Sequence, residues 1–236
     1  MAHRIAPLSV LSKANLCRLK KVKNQILFLA VFTMIKLIIF DLRKTLAYRD
    51  VDYSSTSKIL EETGVCISKE EFVKLFESSL QTKKWNDKYE AYENLCKNMG
   101  LVTREENVKL IMEIRDHAEA HTKLYSHTLE MLKRLRELGY YTGLLSNSSV
   151  FAIEQIRAKT TLLDYIDYPL FSFDVGLIKP DLSFFKAILQ KTACKAEEAL
   201  MIGNNLKDDI LPSQELGMHA IHYQNYEQLK KDLKIY

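Results

Sequence analysis

The sequence predicts an α/β fold, a parallel sheet with helices on both faces, interrupted by an inserted all-helical segment. Three observations carry this. Short apolar runs recur at Ile35–Phe40, Tyr141–Leu145, Leu170–Phe173, Ala199–Ile202 and His219–Tyr223, the first of them rich in β-branched residues, as strands buried on both faces require. Helical patterns separate the later runs, and strands alternating with helices argue for a parallel sheet. The stretch from Arg49 to Thr122 holds helical segments and no strand pattern.

Residues 1–33 contain Arg4, Lys13, Arg18, Lys20, Lys21 and Lys23 and no acidic residue. They contribute +6 to the formal net charge of +4, which leaves −2 for the rest of the chain. A surface for nucleic acid needs positive charge spread over the folded part, so nucleic acid is not an expected partner. The basic stretch Arg18 to Lys23 precedes the apolar run Ile26–Phe40, which superficially resembles a signal sequence. That run is broken by Lys36 and falls short of the ~20 residues a membrane span needs. No small-residue cleavage site follows it, and its second half is required as the first strand. The expectation is a dispensable extension over 1–33, a natural start at Met34, and no membrane association. The four cysteines, Cys17, Cys66, Cys96 and Cys194, form no CxxC pair. This argues against a disulfide framework or zinc site and fits a reducing, cytoplasmic location.

After the first strand come four helical patterns. Ser54–Glu62 runs out near Gly64, and Ser68–Gln81 opens with the capping-box pattern Ser68 to Glu71. Asp87–Asn98 stops at Gly100, and Thr103–His121 opens with Thr103 ahead of acidic residues. Beyond the insertion, His127–Leu138 has apolar residues at three- and four-residue spacing and stops at Gly139. Pro180 is expected to open a helix over Asp181–Lys191, and Asp209–Leu216 ends at Gly217. The predicted division is therefore an extension over 1–33, an α/β core over 34–48 and 123–236, and a helical insertion over 49–122.

Polar residues cluster just after the predicted strands: Asp41 and Thr45, then Ser146 and Asn147, then Asn204 and Asp209, with Lys179 in a loop before a helix. In open α/β sheets the carboxyl ends of the strands converge on one crevice where ligands bind. A carboxylate there can attack an electrophilic centre and form a covalent ester or acyl phosphate, while a fixed lysine balances negative charge.

At these residues the chain resembles the haloacid dehalogenase-like hydrolase superfamily. The segment Ile38-Ile39-Phe40-Asp41-Leu42-Arg43-Lys44-Thr45 is similar to the family's first motif except at its second acid. Leu144-Leu145-Ser146-Asn147 resembles the second. Lys179-Pro180-Asp181 resembles the lysine motif, and Met201-Ile202-Gly203-Asn204 through Asp209 resembles the last, except at its first acid. The resemblance implies a Rossmann-like core with a helical cap that closes over the site. It also implies that Asp41 is the nucleophile, oriented by Thr45, with Ser146 and Asn147 binding the transferring group and Lys179 neutralising it. Asp41, Asn204 and Asp209 would stand at the magnesium positions, with Asp209 alternatively orienting Lys179. The implied partner is a small phosphorylated or otherwise anionic substrate. Oligomeric state and substrate identity are not readable.

Two departures bear on the mechanism. Arg43 replaces the acid that protonates the leaving alkoxide, and guanidinium does not give up its proton. Its side chain either binds an anion or points to solvent. Asn204 replaces a carboxylate that would bind magnesium directly, which implies weak or absent metal binding. Three readings stay open: phosphate-ester hydrolysis with a modified site, a metal-independent dehalogenase-like hydrolysis, and a catalytically silent binding protein. Plainer readings attach to other features. His117 and His121 share a helix face but lack a third ligand, so they are expected at the surface or in cap packing. Trp85, Tyr89 and Tyr92 have the spacing of one helix face and are expected to pack the cap.

Overall fold

The computed structural model describes residues 34–233. The expectations for residues 1–33 lie outside the described residues. Five parallel strands form the central sheet: β1 (Leu37–Phe40), β4 (Tyr141–Ser146), β5 (Tyr168–Phe171), β6 (Ala199–Gly203) and β7 (His219–His222), in the order β5-β4-β1-β6-β7. All four side chains of β1 are buried, as the centre of a sheet covered on both faces demands. In register, Phe40 lies opposite Leu144 of β4 and Ile202 of β6. The residues that follow these three strands therefore emerge side by side at the carboxyl edge.

The insertion carries α1 (Ser55–Thr63), α2 (Lys69–Leu80), α3 (Lys88–Asn98) and α4 (Glu105–Ala120). Ser54, Ser68 and Asp87 cap the first three through their side chains, satisfying amide groups that have no partner within the helix. Thr103 does not cap the fourth: Arg104 holds that position without a side-chain bond. The four helices share their own apolar cluster, with Ile59, Phe72, Leu80, Leu95, Val108 and Ile111 essentially fully buried. Trp85 and Tyr89 pack against this cluster, but Trp85 precedes α3 and lies in the connecting loop. At the end of α4, His117 stacks on Tyr53 and lies tilted against His121.

The chain enters and leaves the insertion through a small ribbon. Two short strands, β2 (Ala47–Arg49) and β3 (Thr122–Leu124), pair antiparallel at its base, Tyr48 opposite Lys123 and Arg49 opposite Thr122. Three-residue strands carry too little periodicity to be read from sequence. After β3 follow α5 (Thr128–Glu137), α6 (Val150–Lys159), α7 (Ser172–Val175), α8 (Leu182–Thr192), α9 (Leu211–Glu215) and α10 (Tyr226–Leu233). Phe173, expected in a strand, belongs to the single turn of α7. Pro180 does not open α8: Asp181 is the cap, and the Lys179–Pro180 peptide is cis. The helix expected over Asp209–Leu216 begins as a π-turn, Leu206–Ile210, before becoming α9. At Gly143, any β-carbon would press on Ile39 and Ile188, so glycine there lets α8 lie close on the sheet. No helix among the described residues is long and apolar enough to cross a membrane.

Candidate functional site

Asp41 follows β1 directly, and its amide donates to the Ile202 carbonyl at 2.9 Å, which anchors it to β6. The chain then turns sharply. The Leu46 and Ala47 amides both donate back to the Leu42 carbonyl, and Lys44 adopts the left-handed region at φ +61°, an uncommon choice for a side chain with a β-carbon. This turn returns buried Thr45 to the site, where its hydroxyl lies 3.4 Å from Asp41 Oδ2.

Lys179 is buried between two carboxylates, its Nζ 2.6 Å from both Asp41 Oδ1 and Asp209 Oδ1. Burial acts to deprotonate an ammonium, but the two aspartates override it and hold the Lys179 pKa above the usual lysine value. Burial raises the Asp41 carboxyl, with Lys179 opposing and Asp209 adding to the rise. Asp209 is fixed by the Asn205 amide at 2.9 Å. Gly203 makes the room for it, since a β-carbon on Gly203 would sit 2.4 Å from the Asp209 carboxyl.

Asn147 holds the lysine loop. Its Oδ1 accepts from the Lys179 amide at 2.8 Å, and its Nδ2 donates to the Lys179 carbonyl at 3.1 Å. The same Nδ2 donates to Glu77 Oε1 of α2 at 3.2 Å. Ser146 is buried with its hydroxyl 2.8 Å from that of Ser148, and Ser148 is held in turn by Ser172. Asn204 is half-buried, and its carbonyl lies 2.9 Å from His222 Nε2.

Arg43 meets a carboxylate of the chain itself. Its guanidinium reaches the base of the insertion, donating to Thr122 Oγ1 at 2.9 Å and to Glu119 Oε2. Glu119 also accepts from Arg49 at 2.5 Å and from Arg115 at 2.8 Å. Burial alone would raise the Glu119 carboxyl, but the guanidiniums of Arg43, Arg115 and Arg49 bring its pKa down to about 2. These arginines border a cavity of about 170 Å³, which Glu77, Asn147 and Ser148 also line. Arg49, Glu77, Arg115 and Glu119 were not singled out from sequence. The usable signal was the i, i+4 spacing of Arg115 and Glu119, one face of α4.

A sequence model of the family described as "Haloacid dehalogenase-like hydrolase" matches residues 38–223. The chain is 26% identical over 204 residues to the glyceraldehyde 3-phosphate phosphatase of Methanothermobacter thermautotrophicus, covering 80% of this chain and 85% of that one. Among solved structures it is similar to a predicted HAD-like family hydrolase from Porphyromonas gingivalis, with a TM-score of 0.64 at 21% identity, covering 85% of this chain and 98% of that one. It is also similar to a HAD family enzyme from Bacteroides thetaiotaomicron in complex with magnesium and inorganic phosphate. There the TM-score is 0.61 at 19% identity, covering 83% of this chain and 98% of that one. At such identities the structural likeness shows the fold.

Proposed function

The chain belongs to the haloacid dehalogenase-like hydrolases, and from that premise we propose that it hydrolyses small phosphate esters through Asp41. The observation that carries the reading is the buried Asp41–Lys179–Asp209 chain at the carboxyl edge of the sheet. An Asp41 oxygen attacks phosphorus and the ester oxygen departs, leaving an aspartyl phosphate. Water then attacks phosphorus, releasing inorganic phosphate and restoring the carboxylate. Lys179 has three N–H donors. Two are engaged by Asp41 and Asp209, and the third is left for a phosphoryl oxygen. The relative from Methanothermobacter, named as a phosphatase, supports this class of substrate.

Magnesium fits the donors poorly. Asp41 and Asp209 both serve the Lys179 ammonium. Asn204 offers a neutral amide, whereas magnesium favours carboxylate and water oxygens in a strict octahedron. The reading is that metal adds little here, and no step is routed through it. The leaving group's proton needs a source other than Arg43. Glu119, with its pKa near 2, is an anion at any working pH and cannot supply it. Glu77 borders the same cavity, and burial raises its carboxyl above the ordinary value. It is the group we assign to that proton.

The test is turnover of 4-nitrophenyl phosphate by the full chain, with magnesium and with chelator, against Asp41→Asn. Nitrophenolate leaves without a proton, so the assay isolates nucleophile and phosphate pocket. The Asp41→Asn variant is expected to lose about 1,000-fold or more, the order seen when a covalent nucleophile is removed. Chelator is expected to change the rate by less than about tenfold, since the metal donors are weak. A rate indifferent to Asp41→Asn sinks the reading. Dehalogenase-like hydrolysis is the second reading, because a halide leaves without a proton and Arg43 supplies none. Release of chloride from 2-chloropropanoate, with no turnover of the aryl phosphate, would replace the first reading by it.

A further inference from the structure

We propose that the cavity at the base of the helical insertion is a second anion subsite, which takes a carboxylate or second phosphate on the same small substrate. The inference rests on the phosphatase reading for the position of the first phosphate and names the substrate class as doubly anionic.

Three guanidiniums converge on one carboxylate there. Arg43 comes from the turn after β1, Arg49 from β2 and Arg115 from α4, and all three bond Glu119. A single bidentate arginine neutralises a carboxylate, so a brace between core and insertion needs one of them. Three leave a local excess of two positive charges around Glu119. The other carboxyl group bordering the cavity is Glu77, which at most halves that excess. Burial, and next to it the neighbouring Arg115, pushes Arg49 down to about 9, so the group stays charged at neutral pH under strong mutual repulsion.

The second observation is independent of charge counting. Arg115 is only 6% exposed, and its Nε is buried with no hydrogen-bond partner in the protein, as are Arg49 Nε and Gln81 Oε1. A buried donor or acceptor left unmet is destabilising, so polar groups of this kind normally meet a partner. The Arg115 guanidinium stacks on the Phe76 ring at 4.2 Å, which fixes its plane. Arg49 and Arg115 border the same cavity as Arg43, where guanidiniums suit the oxygens of an anion, whereas the Gln81 oxygen is itself an acceptor.

Size and position define the ligand. The cavity's volume of about 170 Å³ lies below the ~300 Å³ at which pockets for drug-sized molecules begin. Asn147 borders the cavity and also holds the Lys179 loop. Arg43 is two residues from Asp41, a reach of at most ~7 Å between α-carbons. Both anion seats can thus be filled by one molecule with only a few atoms between its charged ends.

The test measures binding by calorimetry, without turnover. The full chain is titrated with ethylphosphonate, phosphonoacetate and methylenediphosphonate, which share a non-hydrolysable phosphonate and differ in the second group. Phosphonoacetate or methylenediphosphonate is expected to bind about tenfold tighter than ethylphosphonate, the scale of one added charge-assisted hydrogen bond. Whichever gains identifies the second group as carboxylate or phosphate. In Arg115→Met and in Arg49→Met the preference is expected to fall to near one. Thermal melting confirms that each variant is folded, and Arg49→Met decides if Arg115→Met is not. Equal affinities for all three probes, or a preference that survives in the folded variants, overturns the proposal. If the preference holds while Asp41-dependent turnover of the aryl phosphate is absent, the subsite stands and the phosphatase reading fails.

Discussion

Arg43 stands two residues beyond Asp41, where a proton donor for the leaving group is expected, and it is bound to Glu119 and Thr122 instead. The proposed source of that proton is Glu77, whose Oε1 accepts from Asn147 Nδ2 at 3.2 Å. Burial raises the Glu77 carboxyl and Asp208 adds to the rise, while Asn147 and Lys179 oppose it. A general acid matters only when the leaving group is basic. Glu77→Gln should therefore slow an alkyl phosphate by about tenfold or more and the 4-nitrophenyl ester by less than about twofold. The alkyl rate should fall as pH rises through the raised Glu77 value, because the protonated form is the donor, and this limb should vanish in the variant. Equal slowing of both esters would show that Glu77 only positions Asn147.

At the scale of elements, the join of β6 to the π-turn is the tightest point of the site. Gly203 ends β6, and Asp209 returns from the turn into the space where a β-carbon on Gly203 would lie. Gly203→Ala must displace Asp209 from Lys179 and from the Asn205 amide. Overpacking of this kind costs about 1–3 kcal/mol. Urea unfolding should register that loss, with at least a tenfold fall in aryl phosphate turnover, given that steps of about 1.4 kcal/mol are tenfold in rate. Unchanged turnover would mean that Asp209 is not needed to hold Lys179. The sheet and its edge were legible in sequence because each strand shows itself as a short apolar run, and parallel strands bring Asp41, Ser146 and Asn204 to one side by topology alone. The β2–β3 ribbon was not legible, since three residues hold no period. Glu77, Arg49 and Arg115 escaped for a different reason. They sit in ordinary polar positions of helices and a ribbon, and only tertiary packing turns them toward one cavity. Asn147 was expected beside the transferring group, whereas its pairing with both backbone groups of Lys179 depends on a loop contact 32 residues away in the chain.

At the scale of the whole molecule, Glu119 ties the helical insertion to the core, because Arg43 belongs to the turn after β1 and Arg115 to α4. The Glu119 carboxyl is brought from 4.5 to about 2 in the folded protein. A depressed carboxyl contributes stability that is fully present above its unfolded value and is lost as pH falls toward its folded value. The window here therefore runs from about pH 4.5 down to about 2, and its full depth is about 3 kcal/mol at ~1.36 kcal/mol per pH unit. By pH 3.5 the loss should be about 1 kcal/mol. Asp41 works in the opposite sense, since its raised pKa makes the folded state gain protons, and some stability, over the acid range. Urea midpoints at pH 5.5, 4.5 and 3.5 should thus fall more steeply for the wild-type chain than for Glu119→Gln, which has no carboxyl to titrate. The variant should also start lower at pH 5.5, because one buried and two half-buried guanidiniums then face a neutral amide. Breaking one side of a buried ion pair typically costs about 3–5 kcal/mol. Parallel pH profiles for the two proteins would mean that Glu119 is not the group through which acid loosens the insertion from the core.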